Sequence, residues 1–201
     1  MSIIYITRTQ NPKLQRELFR PVKNKWVKPK EGTGLWACEY TPDAEFVSAW
    51  DEFMFHETEE RTFDPGVCFT LKSSVKVFVI DSKEDFQELL DQYEWKQTPY
   101  VQKCMEWANI YLSFALEAEH FGLTEEAEDK LQCAIDSEEL AKNPPYKEKQ
   151  IDFERLAEDF DALFVTKRGI CENRWHLNSW DIASLLVLNF DAIDKQWPLE
   201  D

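Results

Sequence analysis

The sequence predicts an α+β protein with a mixed, mostly antiparallel β-sheet core, flanking helices and a helical insertion. Short β-branched and aromatic runs recur in both halves of the chain, and a pair of long helical patterns interrupts them at about residues 98–145. Strands interleaved with helices would also suit a doubly wound α/β sheet. However, no strand pattern is followed by a G-x-G-x-x-G or G-x-x-x-x-G-K-[ST] loop. A length of 201 residues with 43% hydrophobic content suits a single domain, residues 1–201, that contains the insertion.

The first part of the chain begins with a strand pattern, SIIYIT at residues 2–7. Asn11 and Pro12 then predict the start of a helix that ends near Phe19. A second strand is predicted around residues 35–40. Thr41 and Pro42 predict the cap of another helix, whose apolar spacing places Trp50 in the core.

Two apolar runs, at residues 67–71 and 75–80, predict consecutive strands separated by a short polar turn. Ser82 followed three residues later by Asp85 predicts a capping box at the start of the next helix. After the insertion, the pattern predicts a helix near residues 152–159 and strands at 162–166 and 184–190. These segments supply the remainder of the sheet.

The insertion is predicted to be an αα-hairpin. Thr98 and Pro99 begin its first helix, Gly122 ends it, and Thr124 begins a second helix that runs to about Lys142. Apolar residues at helical spacing predict two facing stripes that form its core seam, Val101, Cys104, Met105, Ala108, Leu112 and Ala115 on the first helix and Ala127, Leu131, Ala134 and Ile135 on the second. Because it interrupts the strand-rich order, the insertion is a candidate partner surface.

The net charge of −16 is unevenly distributed. Residues 1–30 hold eight Lys or Arg against the single acid Glu17, a balance of +7, so the other 171 residues carry −23. An acidic body repels phosphates, which disfavours nucleic-acid binding over a broad surface. The basic amino-terminal strip could receive a small anion or an acidic partner, or could be an ordinary solvated surface. Strong acidity also suits a protein that blocks a basic pocket on another protein.

The five cysteines are widely spaced, odd in number and without a C-x-x-C pair. This pattern predicts reduced thiols in a cytoplasmic protein rather than disulfides or a zinc site, and three scattered histidines add no metal-ligand spacing. No apolar run is long enough to cross a bilayer, and no apolar signal segment is visible. The G-x-S-x-G, H-E-x-x-H, EF-hand and kinase patterns are also absent from the sequence.

Two short segments carry the strongest functional signal. The early strand holds Gly34, Trp36 and Ala37, and the segment before the last apolar run reads Trp180, Asp181, Ile182, Ala183, Ser184. Together they resemble the ADP-ribosyltransferase-like family, in which a Gly-x-Trp-Ala/Ser strand occurs early and Trp-Asp-x-Glu-Ser occurs late. The resemblance covers residues 3–90 and 151–193 and leaves the helical insertion unmatched. In this chain Ala183 stands where the family has its glutamate.

The resemblance implies a split, mixed β-sheet whose cleft holds NAD. Arg8 would contact the NAD ribose or pyrophosphate through charge-assisted hydrogen bonds. Trp36 and Tyr40 share a strand parity and would flank the nicotinamide or adenine ring. Ser184 matches the serine of the late motif, and Asp181 would serve as a substitute catalytic acid for the missing glutamate. Each residue also has an ordinary interpretation, as a surface cation, core packing or a turn cap.

Two functions follow as hypotheses. In the first, the protein uses NAD to transfer ADP-ribose to a macromolecular acceptor, with Asp181 as catalytic residue and Arg8, Trp36, Tyr40 and Ser184 binding the cofactor. In the second, the chain is a non-catalytic acidic binding protein that inhibits or regulates a partner protein, encoded by a bacterium, a bacteriophage or a mobile element. Nicotinamide release from NAD distinguishes the two hypotheses.

Overall fold

The computed structural model describes residues 2–25, 29, 31–58, 65–96, 98–145, 149–174, 176–177 and 180–199. These residues form seven strands, namely β1 Ile4–Arg8, β2 Leu35–Glu39, β3 Gly66–Leu71, β4 Val77–Ile80, β5 Ala162–Val165, β6 Ser184–Val187 and β7 Ile193–Pro198. They also form six α-helices, namely α1 Ala49–Thr58, α2 Lys83–Tyr93, α3 Pro99–His120, α4 Thr124–Lys142, α5 Phe153–Asp159 and α6 Lys167–Glu172. Trp175, Asn178 and Ser179, which precede the late motif, lie outside the described residues.

The chain contacts divide into two compact units. The first, called the sheet unit, comprises Met1–Tyr93 and Ile151–Asp201, and the second, called the hairpin unit, comprises Glu94–Gln150. Helices α3 and α4 lie within the segment where the sequence predicts an αα-hairpin. No helix in the described part of the chain is long and apolar enough to span a bilayer.

The sheet unit is built on one seven-stranded sheet in the order β4-β5-β6-β2-β1-β3-β7. Strands β4 and β5 are parallel, and every other neighbouring pair is antiparallel. This arrangement confirms the predicted mixed, mostly antiparallel α+β fold and differs from a doubly wound parallel sheet. All four residues of β6 are buried, because this strand lies inside the sheet, whereas the edge strand β7 has no buried residue.

The start of α2 confirms the predicted capping box. The Asp85 N–H donates to Ser82 Oγ (3.2 Å), and the Ser82 N–H donates to Asp85 Oδ2 (2.8 Å). Each side chain thus accepts a hydrogen bond from the backbone of the other residue. Hydrogen bonds from the Ser82 hydroxyl and the Asp81 N–H lower the pKa of Asp85 below its usual value. The helix buries Phe86, Leu89, Leu90 and Tyr93, the apolar face that the sequence predicts.

Two helix predictions near the amino terminus are wrong. Between Asn11 and Phe19 the chain forms only a short 3₁₀ turn, Arg16–Leu18. The backbone of Leu14 exchanges two hydrogen bonds with the Gln196 side chain on β7, so a tertiary contact replaces the helical pattern. Helix α1 begins at Ala49, well after Thr41 and Pro42. Trp50, predicted to lie in the core, is 38% exposed.

The hairpin unit has the predicted helices, and its seam contains Cys104, Ala108, Ala115 and Ala134 as predicted but excludes the larger predicted residues. Thr98 caps α3 by accepting from the Val101 N–H (3.2 Å), and Gly122 ends the helix with a φ of 73°. The buried side chains between the helices are small: Cys104, Ala108, Ala115 and Ala118 on α3, and Ala134, Ser137 and Ala141 on α4. Four of the larger residues predicted for the seam are 42–45% exposed: Met105, Leu112, Leu131 and Ile135.

Candidate functional site

The sheet opens between strands β1 and β2. In the described chain their ladder has two residue pairs, Tyr5 with Glu39 and Ile6 with Cys38. Continued pairing in this register would bring Arg8 opposite Trp36. Instead, β1 stays paired with β3 as far as Arg8, and β2 stays paired with β6 from Leu35 onward. The two halves of the sheet therefore diverge at Arg8 and Trp36.

A cavity of about 450 Å³ lies at this split, within the sheet unit. Its volume falls in the range of small-molecule sites, which is roughly 300–1,000 Å³. Four of the residues nominated by the sequence, Arg8, Trp36, Asp181 and Ser184, line it. They come from β1, β2 and the segment that leads into β6, so the fold brings together positions that are up to 176 residues apart in the chain.

Tyr40 is not among the residues that line this cavity. Strand β2 ends at Glu39, and Tyr40 is half-buried, with its N–H donating to the Ile4 carbonyl (2.8 Å). Tyr40 and Trp36 have the same parity, but four residues of extended chain separate them by about 13 Å. Tyr40 therefore lies at the paired end of β1 and β2, and Trp36 lies at the open end.

Two tryptophans form one wall of the cavity. The rings of Trp36 and Trp180 meet edge to face, with centroids 4.5 Å apart and an interplanar angle of 61°. Trp180 is only 2% exposed, whereas Trp36 is 37% exposed. Packing on Trp180 thus holds the Trp36 ring in place while part of that ring stays accessible to another aromatic group.

The indole N–H of Trp180 has no hydrogen-bond acceptor among the described residues. A buried donor without an acceptor costs about 1–3 kcal/mol. The Trp180 N–H is therefore a buried donor at this wall that the sequence did not reveal.

A charged cluster borders the cavity beside β1. Arg8 Nη2 donates to both carboxylate oxygens of Asp51, at 2.6 and 2.7 Å, and the two side chains are only 14% and 11% exposed. Ser48 lies immediately before α1. Its hydroxyl donates to Asp51 Oδ2 (2.6 Å) and accepts from the Asp51 N–H (3.3 Å). Asp51 is thus fixed in the first turn of α1, where the helix dipole favours a carboxylate.

Sequence reasoning missed Ser48, Asp51, Cys38 and Glu31. The Ser-x-x-Asp spacing of the first two was visible in the sequence and is typical of a helix start. Thr41 and Pro42 compete with this signal because they indicate an earlier helix start. Cys38 and Glu31 also line the cavity, but no local pattern identifies them, since strand register and a loop bring them there.

The Cys38 thiol lies on the cavity wall, and its pKa is raised to about 11. Burial is the main cause, and the Asp51 charge adds to it, while a hydrogen bond from the Trp50 backbone and the Arg8 charge act in the opposite direction. A thiol with this pKa is about one part in a thousand thiolate near pH 8. Cys38 is therefore a poor nucleophile at neutral pH.

This pKa predicts selective alkylation. In the native protein near pH 8, iodoacetamide should modify the exposed Cys133 and Cys171, while Cys38 stays unmodified until the protein is unfolded. Peptide mass spectrometry after a short labelling pulse measures each site. Alkylation of Cys38 in the native protein as fast as that of Cys171 would contradict the assigned burial and pKa.

The residues of the late motif line two different cavities. Asp181, Ile182 and Ser184 line the cavity at the split, whereas Ala183 lines a separate cavity of about 250 Å³ with Glu39 and Glu52. Asp181 and Ala183 both precede β6, which begins at Ser184, so strand alternation does not set their directions. The cavity at the split thus has the exposed carboxylates of Asp181 and Glu31, and position 183 is directed elsewhere.

Comparisons of the chain with protein-family models, with curated proteins and with solved structures found no match. Among the described residues, no group of three or more His, Cys, Asp or Glu is arranged to hold a metal ion. The residues that line the cavity at the split are therefore the basis for the chemistry of the site.

Proposed function

We propose that the cavity at the split binds NAD and that the protein is an ADP-ribosyltransferase-like enzyme acting on a macromolecular acceptor. One observation carries the proposal. Arg8, Trp36, Asp181 and Ser184, nominated from opposite ends of the sequence, line the same cavity. An accessible aromatic ring, a cation and a carboxylate at one site suit a ligand that combines a planar ring, a phosphate and ribose hydroxyls.

The residues present fit one end of a dinucleotide. Trp36 offers a partly exposed ring that Trp180 holds in place. Arg8 supplies a guanidinium that Asp51 orients, suited to a phosphate oxygen. The exposed Asp181 can accept hydrogen bonds from ribose hydroxyls.

Bound NAD would supply a glycosidic bond that breaks with neutral nicotinamide as the leaving group, so that ADP-ribose passes to a nucleophile on the acceptor. Asp181 is the carboxylate that would stabilise positive charge developing on the ribose. A preorganised group of this kind contributes about a hundred- to thousandfold in rate. A cytoplasmic location is part of the proposal, supported by five cysteines without disulfides, two of them exposed.

Two variants test binding and chemistry separately. Trp36→Ala should weaken NAD binding about tenfold, since stacking of a base on an aromatic ring contributes roughly 1–3 kcal/mol. Asp181→Asn should leave binding near wild type and reduce nicotinamide release about a hundredfold or more. Calorimetry measures the first, and nicotinamide release together with ADP-ribose labelling of a cell lysate measures the second.

Trp197→Ala is the matched control. Trp197 is 37% exposed, like Trp36, and lies on the edge strand β7 of the same sheet, away from the lining of the cavity. The Trp197→Ala variant should bind NAD with wild-type affinity. Absence of NAD binding by the wild-type protein, or equal losses in the Trp36 and Trp197 variants, would contradict the proposal.

A second candidate function is a non-catalytic binding protein that inhibits or regulates a protein partner, as expected for a small acidic protein of a bacteriophage or mobile element. The observation that favours it is Ala183, which provides no carboxylate and lines a cavity other than the one at the split. NAD binding without nicotinamide release, or no binding at all, would favour this second function over transfer.

A further inference from the structure

The hairpin unit buries small side chains and leaves large ones outside. The seam between α3 and α4 consists of alanines with Cys104 and Ser137. Small residues let two helices approach closely, but they bury little apolar surface. The large apolar residues that would normally form the core of a helical pair lie on both flanks of the seam, and one flank exposes Trp107, Ile110, Phe114, Phe121 and Leu140.

Five of these residues form one surface, called the hairpin face: Met105, Leu112 and Leu116 on α3, and Leu131 and Ile135 on α4. Their exposures range from 42% to 60%. Successive residues of an α-helix are about 100° apart around its axis. On this basis all five side chains lie roughly 75–130° around the axis from the centre of the seam. The rotation from seam to side chain has the same sense on both helices. In an antiparallel pair, equal rotational senses bring the two flanks to the same side. The five side chains therefore share one face.

We propose that the hairpin face binds a second copy of this chain and forms an antiparallel four-helix bundle. The 22 residues of α3 span about 33 Å, and two adjacent helices are about 20 Å wide, which gives a face of about 660 Å² per copy. A stable interface buries about 800 Å² per partner. The hairpin face supplies most of that area.

The charges around the hairpin face suit a twofold partner. Beyond the apolar residues, the α3 edge has the uncharged Gln102 and Asn109, whereas the α4 edge has Glu128 and Glu139, of which Glu139 pairs with Lys142 (3.8 Å). A twofold axis parallel to the helices places α3 of one copy over α4 of its partner, so the uncharged edge meets the acidic edge. All neighbouring helices are then antiparallel, as in an up-down bundle.

Salt dependence distinguishes this partner from a basic one. Two copies of a chain with a net charge of −16 repel each other, and added salt screens that repulsion. Self-association through the hairpin face should therefore strengthen as NaCl rises. Binding of a basic helix to the same face would instead weaken as NaCl rises.

Sedimentation velocity of the full-length protein in reductant, over a range of concentrations and NaCl levels, tests the proposal. The wild type should sediment as a dimer, and Leu112→Glu should raise the dissociation constant at least about a hundredfold, because a twofold axis introduces the charge twice. Ile110→Glu is the matched control. Ile110 is 48% exposed, compared with 43% for Leu112, and lies on the opposite side of the same helix.

The control variant should remain dimeric, and circular dichroism should report wild-type helix content for both variants. Leu131→Glu, on α4, should repeat the effect of Leu112→Glu. A monomeric wild type at every concentration, a dimer that weakens with salt, or equal losses in the Leu112 and Ile110 variants would overturn the proposal.

Discussion

Gly169→Ala should destabilise the sheet unit by about 3 kcal/mol, at the upper end of the range for overpacking. Gly169 lies in α6, which begins directly after β5 and passes over the end of β4, where the Thr166 N–H donates to the Ile80 carbonyl (3.0 Å). A Cβ at position 169 would overlap the Ile80 carbonyl oxygen and lie 2.9 Å from its carbon. Backbone rather than a flexible side chain would have to move.

Two opposing contributions decide whether Gly169→Ala raises or lowers the free energy of unfolding. Alanine favours a helix over glycine by about 1 kcal/mol, so helix propensity alone would make the variant more stable. The overlap with Ile80 outweighs that gain. Urea unfolding followed by tryptophan fluorescence should show a lower midpoint for Gly169→Ala.

Gly32→Ala is the control in the same unit. Gly32 has a φ of 71°, and a Cβ there meets nothing within 4 Å, so only the left-handed backbone conformation opposes alanine, at about 1 kcal/mol. Gly169→Ala should therefore cost more than Gly32→Ala. If the Gly169 variant unfolds at the wild-type midpoint, α6 does not approach β4 as closely as described.

Local signals in the sequence predicted several elements well. Alternating β-branched residues identified β3 and β4 to within two residues. Caps at Thr98 and Ser82 and the turn at Gly122 fixed the ends of α2 and α3 because each is a contact between near neighbours. No local signal predicts β7, because this edge strand has charged residues and no buried face.

Periodicity located the helices of the hairpin and the small residues of their seam, but it also placed larger, exposed residues there. Leu112 and Ala115 belong to the same broad apolar stripe, and the rotation of each helix about its own axis determines which of them is buried. The structure buries Ala115 and exposes Leu112. A stripe wide enough for two contacts cannot by itself distinguish an internal seam from an external face.

The candidate site illustrates a different limit. Arg8 and Trp36 were nominated from a short pattern, but the cavity that they line exists because β1 and β2 separate after two residue pairs. That separation depends on the pairing of β1 with β3 and of β2 with β6, which are contacts distant in the sequence. Asp51, which binds Arg8 across 43 residues, could not be paired with it from spacing alone.

Asp51→Ala should be the second large effect, a loss of about 3 kcal/mol in the free energy of unfolding. The variant removes the carboxylate from a guanidinium that is only 14% exposed, and loss of one partner of a buried pair costs about 3–5 kcal/mol. The Ser48 hydroxyl also loses its acceptor at the start of α1. Urea unfolding followed by tryptophan fluorescence measures the loss.

The double variant Arg8→Met with Asp51→Leu tests whether the lost stability comes from leaving one charge of the pair buried without its partner. Apolar residues of similar volume leave no buried charge, so the double variant should recover most of the stability lost in Asp51→Ala. It should nevertheless fail to bind NAD if Arg8 is a ligand of the phosphate. A single Asp51→Ala variant within about 0.5 kcal/mol of wild type would mean that the pair behaves as an exposed surface salt bridge.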